Sequence, residues 1–234
     1  HCIPTPNHEH DEGDVRDAWM PNPACTDANM YAFIGRLMSG AIQSAESLPV
    51  RWPPFVWKKI ARFPVTLDDY CSSIDASARN YAAVADCATE EEFNLSYEDA
   101  FTFSSTNSAG QSVALVPGGD QMVVTFANRL EFVERLTEMR LREIDEQCEA
   151  IRTGMLSACI PAQVIALWSV NEFSLSVCGK PEISIEEWKR QTRSAALSPH
   201  ALAAFRNLTL RAALRSFENP GPNHSNALWW EVME

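Results

Sequence analysis

Apolar residues return at helical intervals along much of the chain, and those intervals set the first expectations. From Asn29 to about Ser47, the residues Ile34, Leu37, Met38, Ala41 and Ile42 fall on one face, as a core helix requires. Gly35 and Gly40 leave room on that helix for a close neighbour. Pro53 and Pro54 open a short helix through Trp57 and Ile60, because the amide that proline lacks is unpaired in a first turn anyway. Thr66 is the expected cap of the next helix, with Asp68 and Asp69 set against the positive end of its dipole. The first 30 residues have no such rhythm. Their Pro4-Thr-Pro6-Asn7 and Pro21-Asn-Pro23 stretches predict an extended arm over the surface.

The texture changes between about Ser77 and Phe126. A small-residue helix (Tyr81 to Cys87) and an acidic run (Glu90 to Glu92) lead into three strand candidates, Ala100 to Phe103, Ser112 to Leu115 and Met122 to Thr125. Asn107-Ser-Ala-Gly110 and Pro117-Gly-Gly-Asp120 separate them with turn residues, so a β-meander is expected. A sheet that short needs a helix to cover one face. The helix that follows, with Thr125 as its expected cap, carries two apolar stripes. Phe132, Leu136 and Met139 form one, and Leu141, Ile144, Cys148, Ile151 and Met155 form another that is out of phase with it. One straight helix cannot keep both stripes on one core. Either it kinks near Arg140, or its two parts pack on different bodies.

Further along, capping boxes recur at Ser169-Val-Asn-Glu172 and Ser184-Ile-Glu-Glu187. Ser198-Pro199 opens a helix carrying Leu202, Phe205, Leu208 and Leu214, Asn219-Pro-Gly-Pro222 breaks it, and Ala227 to Met233 begins another. The expected fold class is α+β and mainly helical. A small α/β subdomain with a short antiparallel sheet (residues 77–139) is inserted in a larger helical one (1–76 and 140–234).

Composition narrows the function. With 46% apolar residues in 234, the chain can bury a substantial core. A formal charge of −12 would repel a phosphate backbone, so no nucleic acid is expected and a basic protein partner fits better. No apolar run approaches the roughly 18 residues of a membrane span, so no membrane partner is expected. The seven cysteines are odd in number and scattered, with no CxxC pair, which argues against a disulfide framework or a zinc cluster and for a reducing, intracellular setting, cytoplasmic or nuclear. His8-Glu-His10 with Cys2 lacks a fourth ligand at suitable spacing. No metal or cofactor is expected, and Cys178 reads as a small packed residue. The triplets Asn94-Leu-Ser96 and Asn207-Leu-Thr209 are read as chance matches to the glycosylation pattern. Because the first residue is His1 rather than Met, the chain is taken as part of a longer protein.

Several stretches, in order, resemble HECT-type ubiquitin ligases, especially the large HERC type. Ile3-Pro-Thr-Pro-Asn7 with Asp11-Glu-Gly13 and Arg16-Asp17 is similar to the family's opening segment, and Phe33-Ile-Gly-Arg-Leu-Met38 with Ala41-Ile42 to its first signature helix. Pro54-Phe-Val-Trp-Lys58 and Pro64-Val-Thr-Leu-Asp68 resemble the next two elements. Asn128-Arg129, Glu131-Phe132-Val133, Arg140-Leu141, Gln147 and Ile151-Arg152-Thr-Gly-Met155 resemble the long helix. Leu175-Ser-Val-Cys-Gly179 with Pro181-Glu-Ile183, and Trp229-Trp-Glu-Val-Met233, resemble later parts of the amino-terminal lobe. Residues from about Arg193 to Ser225 depart from the family pattern, being longer and richer in alanine.

The resemblance implies the lobe that docks a ubiquitin-charged conjugating enzyme. In the family, the cysteine that accepts ubiquitin by transthiolation, before its transfer to a substrate lysine, lies in a separate carboxy-terminal lobe. None of the seven cysteines here matches it, so this chain alone is expected to dock without transferring. Matched by position, Phe101 and Phe132 are the groove candidates. Phe103 shares a strand face with Phe101, and Asp99, Tyr97 and Tyr81 fall at the rim. Phe132→Ala is expected to leave the fold intact and abolish binding. The implied partners are a conjugating enzyme, the ubiquitin it carries and, through other regions, a protein substrate. Two other readings stay open: a scaffold that keeps the lobe's fold without transfer, and an unrelated helical cysteine hydrolase, for which His200 and His224 offer no supporting pattern.

Overall fold

A computed structural model describes residues 1–97, 100–158 and 160–180. The chain divides into two units, 1–181 and 182–234, and everything described lies in the first. The capping box at Ser184, the helix opened by Ser198 and the Trp229-Trp230 segment fall outside the described residues. The elements run β1 (Cys2–Pro4), α1 (Pro6–His10), β2 (Trp19–Pro21), α2 (Ala28–Ser44), α3 (Pro54–Ala61), α4 (Leu67–Ser73), α5 (Tyr81–Asp86), α6 (Glu90–Tyr97), β3 (Ser104–Thr106), β4 (Ser112–Ala114), α7 (Arg129–Arg142), α8 (Asp145–Ser157), α9 (Ala162–Leu167) and α10 (Val170–Cys178). The mainly helical α+β class is as expected.

A first hydrophobic core gathers Tyr31 and Met38 of α2, Phe55, Trp57 and Ile60 of α3, Tyr70 of α4, Ile144, Ile151 and Met155 around α8, and Phe173 of α10. Its backbone is the contact of α2 with α8, which two glycines make possible. A Cβ on Gly35 would lie 1.9 Å from the Ile151 carbonyl oxygen, and one on Gly154 would lie 2.0 Å from that of Ala32. This close approach turns α2 so that Tyr31, Gly35, Met38 and Ser39 face inward. Leu37, expected in the core stripe, is exposed instead. Gly40 meets open space, so only one of the two expected glycine contacts exists. Ser39 is buried by donating its hydroxyl to the Met155 carbonyl at 3.0 Å.

Local signals hold where capping chemistry dictates them. Pro54 begins α3. Thr66 and Asp69 close a capping box on α4, and Ser169 and Glu172 another on α10.

The amino-terminal arm departs from expectation. β1 and β2 pair antiparallel with Ile3 opposite Met20, and Thr5, Asn7 and Met20 are buried. Polar residues can be interior here because they are fully engaged. The Asn7 carboxamide accepts from the Ala76 amide at 2.7 Å and donates to the Cys71 carbonyl at 3.3 Å, while its own amide donates to Ile74. The arm is therefore pinned to the end of α4. Asn7→Leu keeps the volume but strands these buried groups, and is expected to lower stability by about 2 kcal/mol. Urea denaturation measures it, and an unchanged midpoint would contradict this account of the arm.

A second core contains Val84, Cys87, Phe93, Phe103, Val124, Phe132 and Leu136. The expected three-stranded meander is a two-stranded hairpin, β3 with β4. Met122 to Val124 does not follow β4 in the sheet. It pairs with the start of the first segment: Thr102 bridges Val123, Phe103 donates to Met122, and Val124 donates to Phe101. The cause is the glycine turn. Gly118 adopts φ +73°, and Gly119 presses so closely on Phe103 that a Cβ there would meet its carbonyl at 2.2 Å. The chain thus passes beneath Phe103 and returns along its other side.

Thr125 does not cap α7. The cap position belongs to Asn128, whose side chain makes no bond into the helix. It turns back to accept from the Thr125 amide at 2.7 Å. The helix breaks at Glu143 and Ile144, between α7 and α8. Phe132 and Leu136 enter the second core, whereas Ile144, Cys148, Ile151 and Met155 enter the first. The two out-of-phase stripes have this meaning.

Candidate partner-binding cleft

An open cleft of about 450 Å³ lies on the surface of the second core. Tyr81, Val84, Tyr97, Phe101, Phe132 and Leu136 supply its apolar walls, and Ser77, Asn80, Ser104 and Ser105 its polar edge. α5 brings Tyr81 and Val84, α6 ends on Tyr97, the segment before β3 brings Phe101, and the first two turns of α7 bring Phe132 and Leu136.

The aromatic rings are layered. Phe101 is 36% exposed and stacks on Phe132, with centroids 5.8 Å apart and planes at 23°. Phe132 itself is only 4% exposed and takes Phe103 edge-on from below, at 5.6 Å and 77°. Tyr97 lies against Phe101 at 5.7 Å and against Phe93 at the same distance. Such offset and edge contacts add attraction beyond area burial, so the exposed ring is held in place.

Of the six residues expected here, four line the cleft: Tyr81, Tyr97, Phe101 and Phe132. Phe103 does not. It meets the same ring as Phe101, as residues two apart on a strand should, but the glycine turn closes over it and buries it. Asp99 lies outside the described residues. The burial of Phe132 also corrects the expectation that its truncation spares the fold, since removing a buried phenyl typically costs about 3–5 kcal/mol.

Sequence reasoning missed an apolar margin. Met122 and Val123 pair beside Phe101 and are exposed, as is Leu130 in the first turn of α7. Their signal was present as apolar residues standing off the core stripe of α7 or at a sheet edge. Arg129 ties this margin to the α5–α6 corner. Its guanidinium lies 3.8 Å from the Phe126 ring centroid and donates to the Cys87 carbonyl at 3.1 Å. Residues 77–139 carry ten acidic side chains against three basic ones, more than half of the chain's net charge.

Four of the described cysteines are poor nucleophiles. Burial pushes the thiols of Cys2, Cys71, Cys148 and Cys178 above the ordinary cysteine range, which keeps them protonated and unreactive near neutral pH. Cys178 donates to the Val50 carbonyl as a packed residue. Among the described residues, no group of three or more His, Cys, Asp or Glu is placed to hold a metal, and no helix is long and apolar enough to cross a membrane.

As a class, this is a mainly helical α+β domain that carries an open aromatic cleft within an acidic segment of the chain. The chain belongs to the HECT-domain (ubiquitin-transferase) family, whose profile matches residues 2–204. It is 29% identical over 203 residues to the E3 ubiquitin-protein ligase HERC2 of Mus musculus, covering 85% of this chain and 4% of that protein. It is 27% identical over 192 residues to the probable E3 ubiquitin-protein ligase HECTD2 of Homo sapiens (75% and 24%). It is 30% identical over 167 residues to the E3 ubiquitin-protein ligase HACE1 of Danio rerio (70% and 18%). The chain thus spans a small part of the length of each.

Proposed function

We propose that residues 77–139 form the subdomain that docks a ubiquitin-charged conjugating enzyme, carried on the larger helical body that the described residues of 1–76 and 140–180 form. The observation that carries this reading is the Phe101 ring, exposed at the mouth of the cleft yet fixed by its stack on Phe132. A rigid, half-exposed aromatic beside an apolar hollow is the usual form of an interface anchor. The hollow would take an apolar loop residue of the enzyme, and the net negative charge of residues 77–139 would draw basic residues around that loop. In ligases of this family the thiol that accepts ubiquitin belongs to a separate lobe, and burial here raises the pKa of the Cys71 and Cys148 thiols. The chain on its own therefore docks without transferring, and a protein substrate is engaged through other regions.

A screen against a panel of conjugating enzymes, read by chemical shifts, tests the reading. The expected result is a complex whose shifts centre on Tyr81, Tyr97 and Phe101. Its association rate should fall by about tenfold or more as salt rises from low to physiological strength, because the net negative charge of the segment steers the encounter. Shifts centred elsewhere, or a rate indifferent to salt, would count against it.

A further inference from the structure

Where the two cores meet, five polar side chains form a connected set. Glu143 stands at the break between α7 and α8 with its side chain 3% exposed. Its carboxylate accepts from the Tyr70 hydroxyl at 2.9 Å, from the Ser108 hydroxyl at 2.6 Å and from the Ser108 amide at 3.0 Å. Tyr70 belongs to the first core, and Ser108 sits in the turn joining β3 to β4. Arg140, with a side chain 9% exposed, places Nη1 3.9 Å from Glu143. Its Nη2 donates to the Tyr81 hydroxyl at 3.0 Å, and Tyr81 is a wall of the cleft. Burial, with the Glu143 charge beside it, pushes the Tyr70 phenol far above its ordinary range, so it stays a donor.

An apolar contact between two bodies tolerates sliding, because the hydrophobic effect has no direction. Hydrogen bonds to a buried carboxylate do not, since each donor that leaves strands a charge in a medium that cannot solvate it. Glu143 is held from α4 on one side and from the hairpin turn on the other, and Arg140 carries the connection on to the cleft wall. We infer that Glu143 and Arg140 are positioning residues for the cleft, fixing Tyr81 and the hairpin relative to the first core so that the docking surface has one shape. This inference rests on the docking reading above.

The test uses the full chain and the conjugating enzyme that binds it most tightly in the screen. Arg140→Met with Glu143→Leu removes the buried pair without leaving either charge unpaired, although the Tyr70 hydroxyl and the Ser108 hydroxyl and amide lose their acceptor and stability falls with them. The expected result is a lowered melting midpoint in a variant that still folds, about tenfold weaker binding, and altered or broadened Tyr81 and Phe101 ring signals in the free protein. Should the double variant fail to fold, Glu143→Gln keeps the shape and removes the charge, and the same ring and affinity changes are expected in smaller degree. Wild-type ring signals and wild-type affinity in a folded variant would overturn the inference. Phe101→Ala run alongside isolates the other failure. If that variant also binds normally, the docking reading falls, while the ring signals of the pair variant still decide whether Arg140 and Glu143 position the cleft.

Discussion

Gly35→Ala is expected to destabilise the protein by about 3 kcal/mol, in the direction opposite to helix propensity. Alanine in a helix interior is favoured over glycine by about 1 kcal/mol, and Gly35 lies well inside α2. Yet the new methyl would sit 1.9 Å from the Ile151 carbonyl oxygen and 2.8 Å from the Met155 amide nitrogen. Both are backbone atoms of α8, so no side chain can swing aside and the helices must part. Gly154 faces the Ala32 carbonyl in the same way, which leaves neither helix free to yield. Gly40 provides the internal control. It lies on the same helix with nothing within 4 Å of its added Cβ, so Gly40→Ala should gain up to about 1 kcal/mol. Urea denaturation of the two variants measures both signs. A neutral or stabilising Gly35→Ala would mean that α2 and α8 do not approach as closely as described.

The same pair of glycines shows where sequence reading succeeds and stops. Gly35 stands out as an opening in an apolar stripe, but its contact with α8 also sets the rotation of α2, and that rotation exposes Leu37 and buries Ser39. Periodicity gives the stripe, whereas only the partner helix fixes its phase. Caps are legible because their chemistry is local, as at Thr66 and Ser169. Thr125 fails because Asn128 turns its side chain back to the preceding loop, a choice that depends on how the strand arrives. Buried Thr5 and Asn7 send no apolar signal, and the contacts that bury them, Thr5 with Ala18 and Asn7 with Ile74 and Ala76, span more than ten residues of sequence. At the cleft, periodicity marks Phe132 as core, which it is. The resemblance marks it and Phe101 as groove, which is also consistent with the layered rings. Phe103 separates the two kinds of signal, since alternation places it correctly on the Phe132 side while the Gly119 contact removes it from the surface.

That layering yields opposite expectations for two neighbouring phenylalanines. Phe101→Ala removes the exposed outer ring, leaving Phe132 and the core beneath it in place. Its stability loss should be about 1 kcal/mol, and its loss of affinity for a conjugating enzyme about 2 kcal/mol or more, equivalent to roughly thirtyfold. Phe132→Ala removes the ring on which both Phe101 and Phe103 rest. A loss of about 3–5 kcal/mol in stability is expected there, with binding lost because the anchor above has no support. Thermal melting and titration of both variants distinguish anchor from support. If Phe132→Ala melts like the wild type while only Phe101→Ala unfolds, the order of the layers is inverted. If Phe101→Ala folds and binds normally, the exposed ring is no anchor and the cleft does not receive the enzyme.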